Sequence, residues 1–188
     1  MPDFFEVLKT RRSIRSYEDR PVSEDVLKEL IDLAILAPTG VNSQPWAFTV
    51  ITNRQVMDTL NARIKALLQA AGVADRPNTE RLSQALSSPE FSIFYNAPAA
   101  VIIGGDPQAP TAMIDCQLAA ENLFLAAHAK GLGTCYLGFL MFGSQDSVVR
   151  ELLRLPQGYE LMAAAIVGYP SVKPGPPQRN PARIEWVR

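Results

Sequence analysis

Near the N-terminus, Arg11-Arg12-Ser13-Ile14-Arg15-Ser16-Tyr17 holds three guanidinium groups within five positions, in a chain whose formal net charge is only −1. Guanidinium binds phosphate as a planar fork, and Ser13 and Ser16 could each add a hydrogen bond. The cluster suits a phosphate anchor; a solvated basic turn is the other reading that the segment leaves open. A second concentration of hydrogen-bonding groups is Pro38-Thr39-Gly40-Val41-Asn42-Ser43-Gln44-Pro45-Trp46. A connecting loop needs only a glycine or a proline to turn. Here nearly every position offers a donor, an acceptor or a fixed backbone angle. That suits a planar, heteroatom-rich ligand, or equally a turn whose side chains bond to its own backbone.

Elsewhere the side chains offer little chemistry. His128 is the single histidine and sits in an alanine-rich stretch, where it reads as a packed or surface helix residue. Neither Cys116 nor Cys135 has the flanking pattern of a known nucleophile, and one histidine with two distant cysteines has no metal-ligand spacing. A P-loop is missing, as is a G-x-G-x-x-G between a strand and a helix. Asp115, Glu121 and Glu151 read as scattered helical carboxylates, solvated or capping. No catalytic side chain is therefore assigned. If the chain is an enzyme, a cofactor performs the reaction while the protein supplies position and electrostatics.

Composition bounds the rest. With 188 residues, 47% hydrophobic and 20% charged, the chain has the make-up of an ordinary globular domain with a real core. Near-neutral charge gives no global argument for nucleic acid or a membrane surface. Two cysteines are too few for a disulfide framework, and the N-terminus lacks the apolar core of a signal peptide. The longest uncharged run, 33–53, is broken by Pro38, Gly40 and Pro45, so it is not a spanning helix. These features describe a soluble, cytoplasmic protein.

The elements that must position the two polar segments follow from periodicity. Asp3 and Glu6 form a capping-box signature for a first short helix. Ser23 caps a second, ending at Pro38, whose apolar residues spread so widely that it should be buried nearly all round. Trp46-Ala47-Phe48-Thr49-Val50-Ile51 reads as a strand, apolar on both faces and hence central. Asn53 begins a long helix with Gly72 at its C-terminal end. Residues 73–90 read as a surface excursion, a lid or a disordered segment, with one helix around 81–86. A strand over 98–103 and the longest helix, 111–130, come next. A short strand follows at Gly133-Thr134-Cys135-Tyr136, then a helix capped by Ser144 and a strand over 160–167. From 169 to 188 the proline-rich chain can form only an extended arm. That arm ends in Ile184, Trp186 and Val187, which should dock on this domain or on a second subunit. There is no internal repeat and no boundary, so 1–188 reads as a single domain.

Taken in order, Arg11-Arg12-Ser13-Ile14-Arg15, Ala37-Pro38-Thr39-Gly40-Val41-Asn42-Ser43-Gln44-Pro45-Trp46, Gly131-Leu132-Gly133-Thr134-Cys135-Tyr136-Leu137-Gly138, Gly168-Tyr169-Pro170 and the proline-rich segment with Arg179 strongly resemble the FMN-dependent nitroreductase family. Any one motif is weak; the ordered set spans nearly the whole chain. The resemblance implies an α+β fold, with a central, mostly antiparallel sheet wrapped by helices. It also implies a homodimer with FMN at the interface and a C-terminal arm exchanged with the partner subunit. By match to the motifs, Arg11, Ser13 and Arg179 would hold the phosphate, and Arg12 and Arg15 would line the ribityl chain and the N1/O2 side of the ring. Pro38, Thr39, Gly40 and Asn42, with Gln44, would reach the flavin from the other chain. The backbone of Tyr136, Leu137 and Gly138 would meet the ring near N5 and O4. The implied activity is ping-pong hydride transfer from NADH or NADPH through FMN to a nitroaromatic, quinone or similar small acceptor. A specialised dehydrogenase, dehalogenase or flavin-destroying member, or a flavin-binding sensor with little turnover, shares the same motifs. Two positions depart from the family pattern. Gln178 stands where a basic residue often precedes the arm's arginine, and 74–95, where relatives build their substrate pocket, matches nothing assignable.

Overall fold

Four antiparallel strands in the order β1-β2-β4-β3 form the centre of the protein in a computed structural model that describes residues 3–73 and 80–188. The strands are β1 (Trp46–Ile51), β2 (Ala99–Gly105), β3 (Gly133–Tyr136) and β4 (Glu160–Gly168). β2 and β4 occupy the middle, and side chains alternate across them. Ala99, Val101, Ile103, Ala163, Ala165 and Val167 face one core, and Ala100, Ile102, Ala164 and Ile166 face the other. The first core is covered by α2 (Glu24–Ala34) and α5 (Ala112–Ala129), the second by α3 (Arg54–Ala70) and α6 (Ser147–Leu153). α1 (Phe4–Thr10) packs on α5, and α4 is Glu80–Ser87. The helix expected around 81–86 is thus present as α4, while residues 74–79 of that excursion lie outside the described residues.

Three expectations are corrected. β1 is an edge strand, not a central one, since among the described residues it pairs only with β2. Its two apolar faces do pack, Trp46 and Phe48 on one core and Ile51 on the other. Apolar faces report what lies above and below a strand and say nothing of its hydrogen-bonding edge. α2 is not buried all round: Leu27, Leu30 and Ala34 are buried, whereas Leu33, Ile35 and Leu36, the last two just beyond its end, are exposed in this chain. Finally, α6 is capped by Asp146, not Ser144, because a 3₁₀ stretch over Gly138–Gly143 uses up the chain before it. The Asp146 carboxylate accepts from Val149 N at 3.1 Å and takes both Nε and Nη2 of Arg63. The Arg63 pairing, then the Val149 bond, hold this carboxyl below its ordinary range.

Asp3 does occupy the N-cap of α1, but its side chain makes no capping bond, and Glu6 pairs instead with Lys9 at 3.2 Å. The C-terminal arm starts with Tyr169 under Arg20, 3.8 Å from the ring centroid, and with Ser171 N donating to Ser16 O. Beyond it the chain is extended and exposed, and Ile184, Trp186 and Val187 do not dock on their own domain.

One glycine locks the basic run to the sheet. A Cβ on Gly133 would fall 2.5 Å from Ile14 Cγ1. Gly133→Ala is expected to push Ile14 out of register and cost about 1–3 kcal/mol. Denaturant unfolding of the two proteins checks this; equal midpoints would show that Ile14 yields freely.

Candidate functional site

The basic run lies along the free edge of β3. After α1 ends, Ser13 forms a parallel bridge with Thr134, and Ile14 N donates to Thr134 O at 2.8 Å. Extended backbone sends successive side chains to opposite sides. Ser13 and Arg15 accordingly act on Cys135, while Arg12 and Ile14 line a different cavity beside His128. Arg12 and Arg15, grouped together by the sequence reading, point into separate spaces.

Arg15 opens onto a cavity of about 350 Å³ lined by Ile93, Tyr95, Cys135, Tyr136, Leu137, Gly138, Phe139 and Phe142. Its guanidinium carbon lies 5.8 Å from the Tyr95 ring centroid, at the outer range of a cation–π contact. Tyr95 and Asn96 both adopt left-handed backbone, φ 50° and 56°. Such residues persist only where surroundings hold them. Here Arg54 Nη2 donates to Asn96 Oδ1 at 2.6 Å, and Phe91 meets Tyr95 edge to face at 5.7 Å. Burial holds the Cys135 thiol above its ordinary range, against the opposing pull of Arg15, Ser13 and Arg11, so it is a neutral wall of the cavity. Burial likewise pushes the Tyr17 phenol up, and its hydroxyl donates to Ile14 O at 2.7 Å.

Arg11 turns toward α5, where its Nε stands 3.6 Å from Glu121 Oε1. Glu121 is half exposed, so that pair contributes roughly 0–1 kcal/mol and leaves the guanidinium available to a stronger anion. Arg179 stands exposed in the arm.

The loop at 38–44 is organised by a residue whose role the sequence did not reveal. Asp115, expected to be solvated or capping, is only 2% exposed. Its carboxylate accepts from Thr111 Oγ1 at 2.8 Å, Gly40 N at 3.3 Å and Ser43 Oγ at 3.4 Å. Thr111 stands one turn before Asp115, a spacing that hints at a helix start. Nothing local, however, connects Asp115 to a loop some seventy positions earlier. Val41, Asn42 and Gln44 are left-handed, φ 49°, 57° and 45°, a conformation that is strained for a β-branched valine. Gln44 Nε2 also donates to Asn42 Oδ1 at 3.2 Å, so the self-bonding reading of this loop holds in part. Pro38, Thr39, Gly40, Asn42 and Gln44 do not line the Arg15 cavity, and Val41 is 99% exposed. A Cβ at Gly40 would fall 2.4 Å from Thr111 Oγ1. Gly40→Ala is expected to displace Thr111 from Asp115 and loosen the loop, seen as new protease cleavage within 38–44. An unchanged digestion pattern would show that the anchor tolerates it.

Within this chain, then, Ser13, Arg15, Tyr136, Leu137 and Gly138 are brought together, with Arg11 beside them. Arg12, the 38–44 loop and Arg179 are placed elsewhere. A cavity with four aromatic residues, a single guanidinium, no acidic group and backbone at one edge fits one wall of a planar, polar-edged ring system. Gly138 helps, since a Cβ there would meet nothing within 4 Å.

The fold is nitroreductase-like. A crystal structure of a nitroreductase with bound FMN from Bacteroides fragilis matches over 100% of both chains, with a TM-score of 0.84 and 27% identity. Residues 8–169 match the model of the Nitroreductase family, and the chain belongs to that family. Among its relatives, a protein of Archaeoglobus fulgidus provisionally named NADH dehydrogenase/NAD(P)H nitroreductase is 30% identical over 175 residues, covering 90% of this chain and 87% of the relative. The nitrobenzene nitroreductase of Ectopseudomonas oleovorans is 28% identical over 199 residues, covering 89% and 87%.

Proposed function

We propose that this protein is an FMN-dependent oxidoreductase that takes electrons from NADH or NADPH and delivers them to a nitroaromatic, a quinone or a similar small acceptor. The observation that carries this reading is the Arg15 cavity itself: aromatic walls, one guanidinium, exposed backbone at Gly138 and no acid–base pair. Among the described residues, no group of His, Cys, Asp or Glu side chains is arranged to hold a metal ion. FMN, when bound, supplies a hydride acceptor and donor at its N5 atom.

The residues divide the remaining work. Arg11, Ser13 and Arg179 hold the phosphate, each charge-assisted bond contributing roughly 1.5–3 kcal/mol. Arg15 places positive charge at the N1/O2 side of the ring. Leu137 N donates to Ala164 O at 2.8 Å and is therefore committed to the sheet. The donor toward N5 and O4 falls instead to Gly138, which opens a 3₁₀ stretch whose first N–H groups have no partner within it. Phe139, Phe142 and Tyr95 bound the space left for donor and acceptor.

A homodimer completes the site, with Pro38, Thr39, Gly40, Asn42 and Gln44 of the second subunit closing over the ring. Supporting this, exposed apolar residues gather around the loop and helices that would meet: Phe4, Phe5, Leu36, Val41, Ile114 and Leu118. The arm's Ile184 and Trp186 then cover the partner instead of facing water. The whole chain, 1–188, acts as one domain, and no helix among the described residues is long and apolar enough to cross a membrane.

Because donor and acceptor use one cavity in turn, initial rates should give parallel double-reciprocal lines when NADH or NADPH is varied at several fixed nitroaromatic concentrations. Converging lines would mean that both bind together and would contradict the shared cavity.

A further inference from the structure

The alternation along residues 11–15 leaves one guanidinium without a role in the proposed flavin site. Arg12 lines a cavity of about 360 Å³ together with Thr10, Ile14, His128, Leu132 and Lys173. The volume is at the lower end for small-ligand sites. We propose that this cavity is a second anion site, built by Arg12, Lys173 and His128 to take a phosphoryl group, and separate from the cradle of Ser13 and Arg15.

Several features converge on this. The guanidinium of Arg12 is held in place by Nη1, which donates to Arg11 O at 2.7 Å and Lys9 O at 2.8 Å. Its Nε is buried and has no partner. A buried, unpaired donor on a cation carries a desolvation cost that a nearby negative charge would offset through the field it sets at the guanidinium. None of the lining residues is acidic. Of the carboxylates on neighbouring elements, Glu6 pairs with Lys9 and Glu29 with Lys130, and Glu121, the weak partner of Arg11, does not line the cavity. Of the C-terminal carbonyls of α5, which would repel an anion, those of Ala126, Ala127 and His128 are occupied. Lys130 N and Leu132 N donate to Ala126 and Ala127, and Gly131 N to His128 O.

His128 is oriented for the same purpose. The Thr10 hydroxyl has one proton, which it donates to Glu6 O, so its oxygen accepts from His128 Nε2 at 2.8 Å. The Nε2 proton is therefore fixed and Nδ1 is the nitrogen that titrates. Burial first, then Arg11, Arg12 and Lys173, hold His128 below its ordinary range. An arriving dianion reverses that field, so imidazolium and phosphoryl group stabilise each other.

Because His128 is the single histidine, its ring Hε1 proton gives one unambiguous NMR signal. Inorganic phosphate is titrated into FMN-loaded protein at constant ionic strength, with chloride as the control. The account expects a saturable shift of the His128 signal with phosphate alone, and a rise of about one unit in its midpoint of titration. Arg12→Gln should weaken the response at least tenfold. Lys173→Gln, on the exposed arm and harmless to folding, should weaken it several-fold. A linear response, an equal response to chloride, or insensitivity to both variants would overturn the proposal. So would a response in the flavin-free protein that FMN abolishes, since the cavity would then belong to the flavin phosphate. Retained yellow colour throughout keeps a failure here distinct from a failure of the flavin reading.

Discussion

Arg11→Ala combined with Arg179→Ala is expected to release FMN during dialysis. Each substitution removes a charge-assisted hydrogen bond to phosphate, so the pair should lose about 3–6 kcal/mol of binding. That corresponds to a Kd weakened by roughly a hundred- to ten-thousandfold. The fold should be indifferent, because Arg11's contact within the chain is a long pairing with half-exposed Glu121, and Arg179 is exposed. Gln178 beside Arg179 adds no second cation, so the residue next to it cannot substitute for the lost charge. Unchanged unfolding with loss of colour on dialysis is the predicted combination. A double variant that stays yellow sinks the phosphate assignment.

The second large effect is at Asp115. Asp115→Ala removes the buried carboxylate that Thr111 Oγ1, Gly40 N and Ser43 Oγ share, leaving Thr111 and Gly40 half-buried without it and Ser43 facing water. A fully buried unsatisfied donor costs about 1–3 kcal/mol, and the half-buried Thr111 and Gly40 should each approach the lower part of that range, with the lost loop anchoring added. A net loss of about 3 kcal/mol is expected, or roughly 6–12 °C in Tm for a chain of this size. The same change frees the left-handed run at Val41, Asn42 and Gln44, which no local propensity favours. Weaker FMN binding should therefore accompany the lower Tm. Calorimetry with and without excess FMN separates the two contributions. If the variant melts with the parent and binds FMN equally well, the loop is not held by this carboxylate.

What the sequence made legible was local. Ser23 and Asn53 cap their helices, with Val26 N and Val56 N donating to them, because capping depends on residues three positions apart. β2 and β4 declared themselves as continuous apolar runs. What remained hidden depended on distant partners. Asp115 looked like any helical carboxylate until the fold set it under Gly40. β1 looked central because its faces pack, although its edge is free. The three arginines looked like one cluster, yet a single extended stretch, pinned by Ser13 to Thr134, sorts Arg12 to one side and Arg15 to the other. Alternation was implicit in the spacing, but only the β3 edge makes the segment extended.

The measurement that bears most directly on the central claim is the visible absorption spectrum of the purified protein, followed by anaerobic titration with NADH and with NADPH. The account predicts a flavin spectrum, native or restored by added FMN, that bleaches with about one equivalent of reduced nicotinamide per FMN and recovers on adding a nitroaromatic or quinone. A colourless protein that takes up no added FMN would contradict it.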